Sequence, residues 1–275
     1  MEINSLVFTG QHLKDPPYNV DTGLLNVTEN FDSQYATDKK LGFIYAPERT
    51  LFRLWAPVAS RIELILFNHL YEDEAEHIVM KQTAPGTFEV EVLRDLDNTA
   101  YKFGVFYPDG NYVETTDPYA IAATSNGERS VVVDLSKTNP KKWNQRMPAF
   151  TASTDAVIYE ASVRDFTMAE SSGATNRGKF LGVIEEGTTS PAGLTTGLDY
   201  LKEMGITHLQ LMPMYDFETV NEENQTEKYN WGYDPQNYNV PEGSYATDAR
   251  DPKTRIREMK QMIQGLHDAG IRVIM

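Results

Sequence analysis

The chain contains no cysteine and has an excess of acidic over basic residues, and both features limit what it can do. The absence of cysteine among its 275 residues excludes disulfides, thiolate nucleophiles and cysteine-ligated metals, and is compatible with a reducing compartment. A formal net charge of -15 would repel phosphate backbones and anionic lipid surfaces. We therefore expect a cytoplasmic protein that has neither nucleic acid nor a membrane as a partner.

Long apolar runs are also missing. Residues 1–17 lack the apolar stretch of a signal peptide, and no later segment has the length needed to cross a bilayer. We predict no metal and no cofactor, because metal-ligand spacing is absent from the five histidines, which are His12, His69, His77, His208 and His267. A hydrophobic share of 40% and a charged share of 24% are ordinary for globular chains, and the length allows two domains.

Alternating apolar residues indicate a β-sandwich in the first half of the chain. Between about Leu41 and Leu135, short segments of period two are separated by turn residues. The segment Pro108-Asp109-Gly110-Asn111 predicts a hairpin turn, and residues 130–134 could close the sheet. We expect an all-β module of immunoglobulin-like size at residues 41–137, after an N-terminal extension of residues 1–40.

The periodicity changes to that of a parallel α/β sheet after a polar linker at residues 138–154. Strands are predicted at residues 157–159, 206–212 and 271–275, with helices between them. The second helix is expected to begin at Asp251-Pro252, where an aspartate cap precedes a proline at the first helical position. Residues 155–275 should therefore start a TIM-type barrel, which is incomplete because three strands cannot close one.

The predicted fold class is thus multi-domain. It consists of an all-β immunoglobulin-like sandwich followed by the truncated start of an α/β (TIM-type) barrel. The final predicted strand would leave apolar side chains and hydrogen-bonding groups along an open edge. We therefore expect the chain to be a piece of a larger enzyme.

The connection between Met212 and Asp251 is predicted as one long loop with a functional role. It is far longer than the usual connection of about 4–6 residues, and in a parallel barrel it would leave the face on which active sites lie. Its seven aromatic residues are Tyr215, Phe217, Tyr229, Trp231, Tyr233, Tyr238 and Tyr245. Aromatic faces pack against pyranose rings, while Asn230 and Asp234 could bond to sugar hydroxyls. The alternative is that Trp231 and Tyr233 anchor the loop to the barrel rim.

The seven residues 229–235, Tyr-Asn-Trp-Gly-Tyr-Asp-Pro, resemble the signature loop of type I pullulanases, which are starch-debranching enzymes of glycoside hydrolase family 13. Residues 52–57, Phe-Arg-Leu-Trp-Ala-Pro, are similar to the start of the family's starch-binding β-sandwich, a family 48 carbohydrate-binding module, and residues 117–120 to its end. Residues 157–166 and 197–213 are similar to the first two barrel strands and the helix between them. The resemblance covers most of the chain and is weak only over about the first 40 residues.

This resemblance implies cleavage of α-1,6-glucosidic branch links, with retention of configuration, in an α-glucan polysaccharide or branched maltodextrin. Retaining hydrolysis needs two carboxyl groups about 5–5.5 Å apart. In the family they come from the fourth and fifth barrel strands, so we expect no catalytic residue in this chain. The resemblance assigns to Tyr233 the stacking on the sugar at the cleavage subsite. Trp231, Asp234 and Asn230 are the neighbouring candidates for substrate binding.

Carboxylates within the chain offer an alternative source of catalytic groups. Glu160, Asp165, Asp216 and Asp234 lie near strand ends or loops, but Glu160 and Asp165 are better explained by pairing with Arg164 or by capping the backbone. Two other functions stay open at this point. One is a non-catalytic α-glucan-binding protein, and the other is an immunoglobulin-like interaction module without a sugar role. Binding to starch would distinguish the interaction module, which should not bind, from the other two functions. Hydrolysis of pullulan would distinguish the enzyme from the non-catalytic binding protein.

Overall fold

The computed structural model describes residues 29–141, 143 and 146–275. The predicted N-terminal extension therefore lies largely outside the described residues, and so does the region in which no signal peptide was expected. The first described element is the short helix α1 (Glu29–Tyr35). Within the described ranges, no helix combines the length and the apolar character that a membrane span requires.

Two antiparallel sheets form the first domain. One has the strand order β1-β2-β6-β5; the other has the order β4-β3-β7-β8, with β9 also paired to β7. In chain order the strands are β1 (Gly42–Ala46), β2 (Arg49–Trp55), β3 (Arg61–Phe67), β4 (Ala75–Val79), β5 (Lys81–Ala84), β6 (Thr87–Val92), β7 (Thr99–Phe106), β8 (Tyr112–Thr115) and β9 (Ser130–Val132).

The core between the two sheets follows the predicted alternation. Every second residue of β2, β3, β6 and β7 points inward, and the buried side chains include Phe52, Leu54, Ile62, Leu64, Leu66, Phe88, Tyr101 and Phe103. The predicted hairpin between β7 and β8 is confirmed, with Gly110 at a φ of 88° in the turn. The closing strand is confirmed as well, because β9 pairs with β7.

Trp55 ends β2 and holds α1 against the sandwich. Its indole Nε1 donates a hydrogen bond to the carbonyl oxygen of Tyr35 at 2.7 Å. The ring of Phe31 meets the indole edge-on, with the ring centres 6.4 Å apart. Trp55 remains 38% exposed, so these two contacts carry its attachment to α1.

Parallel strands begin the second domain, as predicted. They are β10 (Ile158–Ala161), β11 (His208–Leu211) and β14 (Arg272–Ile274), in the spatial order β10-β11-β14. The α-helices are α2 (Val163–Met168), α3 (Gly197–Glu203) and α4 (Pro252–Asp268). Short 3-10 helices lie at Ser125–Gly127, Leu135–Thr138, Ser153–Asp155, Glu170–Ser172, Leu181–Ile184 and Gly243–Tyr245.

The start of α4 is the one that the sequence predicts. The Asp251 side chain accepts a hydrogen bond from the backbone N–H of Lys253 at 3.0 Å, and Pro252 occupies the first helical position. Gly270 follows the helix with a φ of 83°, a left-handed conformation in which glycine has no steric penalty. This agreement confirms the predicted α/β pattern.

Helix α4 contacts both domains. Its residues Ile263 and Leu266 are buried in the core of the α/β domain. Near its start, Ile256 is buried in a cluster with the sandwich residues Ile65 and Val131. The Lys253 ammonium adds an ion pair of 2.7 Å to Asp97 in the sandwich. The helix therefore joins the two domains along one side.

The connection from Met212 to Asp251 is more ordered than the predicted loop. It contains β12 (Tyr215–Phe217) and β13 (Pro235–Pro241), which pair antiparallel. The register is irregular, since Tyr215 lies opposite Pro241 although Asp216 lies opposite Asn237. The prediction of a single loop is wrong here, because an irregular pair bounded by prolines has no alternating pattern that would reveal it.

Candidate functional site

Residues 218–234, called the hairpin tip below, connect β12 to β13 and present several exposed aromatic rings. Tyr229, Trp231 and Tyr233 are 53%, 58% and 65% exposed. Exposed large aromatics on one short segment are unusual for a soluble surface and indicate a binding function. The structure thus places the predicted residues Trp231 and Tyr233 on a single exposed turn.

Asn230 folds this turn through its own side chain. Its Nδ2 donates to Asp234 Oδ1 at 2.7 Å and to Thr219 Oγ1 at 2.5 Å. Its Oδ1 accepts from the backbone N–H of Gly232 at 2.7 Å. Both amide hydrogens of Asn230 are therefore engaged within the tip, whereas Asp234 keeps carboxylate lone pairs for a ligand. Asn230 and Asp234 together fix the backbone that carries Trp231 and Tyr233.

Gly232 lets the turn approach β12. Its φ is 87°, and a Cβ at this position would lie 2.5 Å from the carbonyl oxygen of Pro213 and 3.2 Å from a ring carbon of Phe217. A side chain would therefore meet both a strained backbone and a fixed carbonyl group. This close approach fixes the distance between the aromatic turn and Pro213, which follows β11.

Tyr229 fastens the other end of the tip to the α/β domain. Its hydroxyl donates to Asp165 Oδ2 at 2.5 Å, and the Arg164 guanidinium lies 5.2 Å from its ring centre. The hydrogen bond to Asp165 raises the pKa of the Tyr229 phenol. The predicted pairing of Asp165 with Arg164 is confirmed at 3.0 Å. Glu160, by contrast, faces Gln210 on the neighbouring strand.

A buried charged cluster lies at the base of the hairpin, and the sequence analysis missed it. Asp216, Glu222 and Glu242 bring carboxylate oxygens within 4.8 Å of one another. The guanidinium of Arg255 on α4 binds both carboxylate oxygens of Glu222, at 3.0 and 2.8 Å. These four residues are at most 2% exposed. They stand at irregular intervals in the sequence, so no spacing pattern signals the cluster.

Burial disfavours the ionised forms of the acids in this cluster. It raises the pKa of Glu242 to about 7, and the negative charge of Glu222 adds to the shift. Burial also raises the pKa of Asp216 well above its usual range. Three carboxylates could hold a divalent cation, but Arg255 already places a positive charge among them. The guanidinium offsets part of the negative charge of the cluster.

Matches with known families agree with this architecture. The model for carbohydrate-binding module 48 (isoamylase N-terminal domain) matches residues 40–120, and that for the alpha amylase catalytic domain matches residues 157–275. A pullulanase of Bacillus subtilis strain 168 is 38% identical over 257 residues, which are 94% of this chain and 35% of that protein. This chain resembles pullulanases over nearly its whole length. The predicted resemblance is thereby confirmed.

Solved pullulanase structures share the fold of this chain. The enzyme of Paenibacillus barengoltzii, in complex with maltohexaose and alpha-cyclodextrin, has a TM-score of 0.88 and 45% identity; the match covers 92% of this chain and 40% of that chain. Type I pullulanase of Bacillus subtilis with maltose has a TM-score of 0.83 and 40% identity, over 90% of this chain and 34% of that one. The predicted fold class is confirmed, and the chain spans well under half the length of these relatives.

Proposed function

We propose that this protein is a type I pullulanase that debranches α-glucans by hydrolysing α-1,6-glucosidic linkages with retention of configuration. The proposal is supported by the identity to pullulanases over nine-tenths of the chain. Solved relatives hold maltose or maltohexaose, which are α-glucan fragments. The observation on which the proposal depends is the hairpin tip, where Trp231 and Tyr233 are exposed on one internally bonded turn.

We propose that the described part of the chain supplies glucan binding. Tyr233 stacks on a glucose ring, Trp231 offers a second apolar face, and Asp234 accepts hydrogen bonds from sugar hydroxyls. Asn230 acts through the turn, because its amide hydrogens are already used. A neutral glucan needs no electrostatic steering, so the net charge of -15 does not oppose binding.

The catalytic carboxyl groups, in this proposal, are not among the residues of this chain. Asp165 is engaged by Arg164 and Tyr229, and Asp216 is fully buried beside Glu222. Retaining hydrolysis requires an acid and a nucleophile that face the same open space. Neither Asp165 nor Asp216 meets this requirement. We therefore expect the 275-residue chain to release no maltotriose from pullulan, and release by this chain would contradict the assignment.

Calorimetric titration with maltohexaose tests the binding role. We expect Trp231→Ala and Tyr233→Ala to weaken the affinity about three- to tenfold, as the loss of an aromatic stacking contact should. The control is Tyr200→Ala, because Tyr200 is a 40% exposed tyrosine on α3, away from the tip. Equal affinities in wild type and both tip variants would contradict the proposal.

We also propose that the protein acts in the cytoplasm and that α-glucan is its partner. The lack of cysteine supports the location, since such a chain does not depend on an oxidising compartment for its stability. Fractionation of cells followed by detection of the protein would test the location.

A further inference from the structure

The 3-10 turn Ser125–Gly127, called the junction turn below, extends from the sandwich into the base of the hairpin. It lies between β8 and β9 in the chain. Asn126 has a φ of 60° and Gly127 a φ of 65°, so two consecutive residues take the left-handed conformation. Glycine adopts this conformation without steric penalty and asparagine tolerates it, so the two residue types suit the turn.

The first set of contacts joins the junction turn to the hairpin tip. The backbone N–H of Asn126 donates to Glu222 Oε2 at 2.7 Å, and the backbone N–H of Glu222 donates to Asn126 Oδ1 at 2.9 Å. Glu222 also accepts from the backbone N–H of Gly243 at 2.7 Å and pairs with Arg255. A residue of the tip is thus bonded reciprocally to the sandwich inside a buried cluster.

The second set of contacts joins the junction turn to both strands of the hairpin. The carbonyl oxygen of Gly127 accepts from Asn237 Nδ2 at 3.3 Å and from Gln236 Nε2 at 3.5 Å. A Cβ at Gly127 would lie 2.5 Å from Asp216 Oδ2 and 2.7 Å from Asn237 Nδ2. Because β12 and β13 both touch Gly127, the hairpin cannot shift without losing contact with the sandwich.

We infer that the junction turn positions the hairpin tip, so that the β-sandwich sets the orientation of Trp231 and Tyr233 without touching the sugar. The tip is held at Glu222 by the sandwich and at Tyr229 by Asp165 of α2, and Gly127 of the sandwich contacts the strands on both sides of the tip. Preorganised binding groups gain affinity because less ordering is needed when the ligand arrives. The identity of the ligand rests on the proposed function, whereas the positioning does not.

A matched pair of glycine variants tests the inference. Gly127→Ala adds a methyl group at a left-handed position directly against the hairpin. Gly110→Ala adds one at a left-handed position, with a φ of 88°, where no heavy atom lies within 4 Å. Both variants carry backbone strain in the sandwich. A difference between their effects on exchange and affinity therefore reports the contact of Gly127 with the hairpin.

Two measurements are made on the 275-residue chain. We expect amide exchange of residues 218–234 to accelerate about tenfold in Gly127→Ala, because its contacts to the hairpin are displaced. The affinity for maltohexaose should fall about tenfold, because the aromatic rings lose their fixed orientation. In Gly110→Ala both quantities should stay within about twofold of wild type. Wild-type exchange rates of the tip in Gly127→Ala would overturn the inference.

Asn126→Gly provides a second test if Gly127→Ala does not fold. Glycine accepts the left-handed φ, so this variant removes the acceptor of the Glu222 N–H without adding steric strain to the turn. Faster exchange confined to the tip supports the inference, and unchanged exchange of the tip opposes it. If the wild-type chain does not bind maltohexaose, the binding role fails, while the exchange data still decide whether the junction turn positions the tip.

Discussion

Glu242 shows at the scale of a single residue how burial makes the fold sensitive to pH. Its pKa is raised from 4.5 to about 7 by burial. An acid with a raised pKa binds more protons in the folded than in the unfolded state between these two values. The free energy of unfolding should therefore fall as the pH rises from about 4.5 to about 7.

Urea unfolding at pH 5, 6 and 7 checks this prediction. Glu242→Gln should make the dependence on pH shallower, because the amide does not titrate. It should also lower the stability at pH 5, since the amide oxygen alone cannot serve both N–H donors of Phe217 and Ser244. Glu227→Gln, at an exposed glutamate of the tip, is the control and should keep the wild-type slope. A Glu242→Gln slope equal to the wild-type slope would contradict the assignment.

Individual residues were predictable where they stand in a compact motif. Trp231 and Tyr233 were predicted as binding residues from a short aromatic segment in a long connection, and the structure exposes both on one turn. The role of Asn230 within the turn was not found, because the same side chain can bond to a sugar or to its own backbone. Arg255 and its three acids were missed because they meet only after the chain folds.

Helix α4 illustrates the scale of one element. Its cap is Asp251, whose carboxylate accepts from Lys253 N–H at 3.0 Å and from Thr254 Oγ1 at 2.6 Å. We expect Asp251→Ala to lower the free energy of unfolding by about 1 kcal/mol, as the loss of such a cap does. Asp251→Asn keeps a side-chain acceptor, so it should lower the free energy of unfolding by only a fraction of that amount. Equal losses in chemical denaturation would argue against capping as the cause.

Periodicity was sufficient for regular elements and failed for irregular ones. The residues of the sandwich strands that face the core recur with period two, and the residues that α4 buries in the α/β core recur at helical spacing, so both repeats are visible in the sequence. The β12–β13 pair instead depends on a side-chain bond between Asn237 and Asp216 and on a shifted register. Bonds of this kind depend on tertiary contacts, which local pattern does not encode.

At the scale of the whole molecule, Ile256 connects the two domains. It comes from α4 and is 3% exposed in a cluster with Ile65 and Phe67 of the sandwich. Ile256→Ala should lower the free energy of unfolding by about 2–5 kcal/mol, because it leaves a cavity between the domains. Amide exchange should accelerate in both the sandwich strand β3 and α4. Acceleration in α4 alone would show that the domains are energetically independent.

The burial of Arg255 has a consequence for how the domains come together. Its guanidinium has exchanged water for Glu222 and for the carbonyl oxygens of Pro241 and Ala249. Glu222 is in turn held by the sandwich residue Asn126. All of these partners of Arg255 belong to the α/β domain, so the ion pair can form there, and the sandwich adds to it only the bonds between Asn126 and Glu222. If the sandwich moved away, Glu222 would lose the N–H donor of Asn126 but would keep its pairing with Arg255, so the charged cluster should outlast separation of the domains.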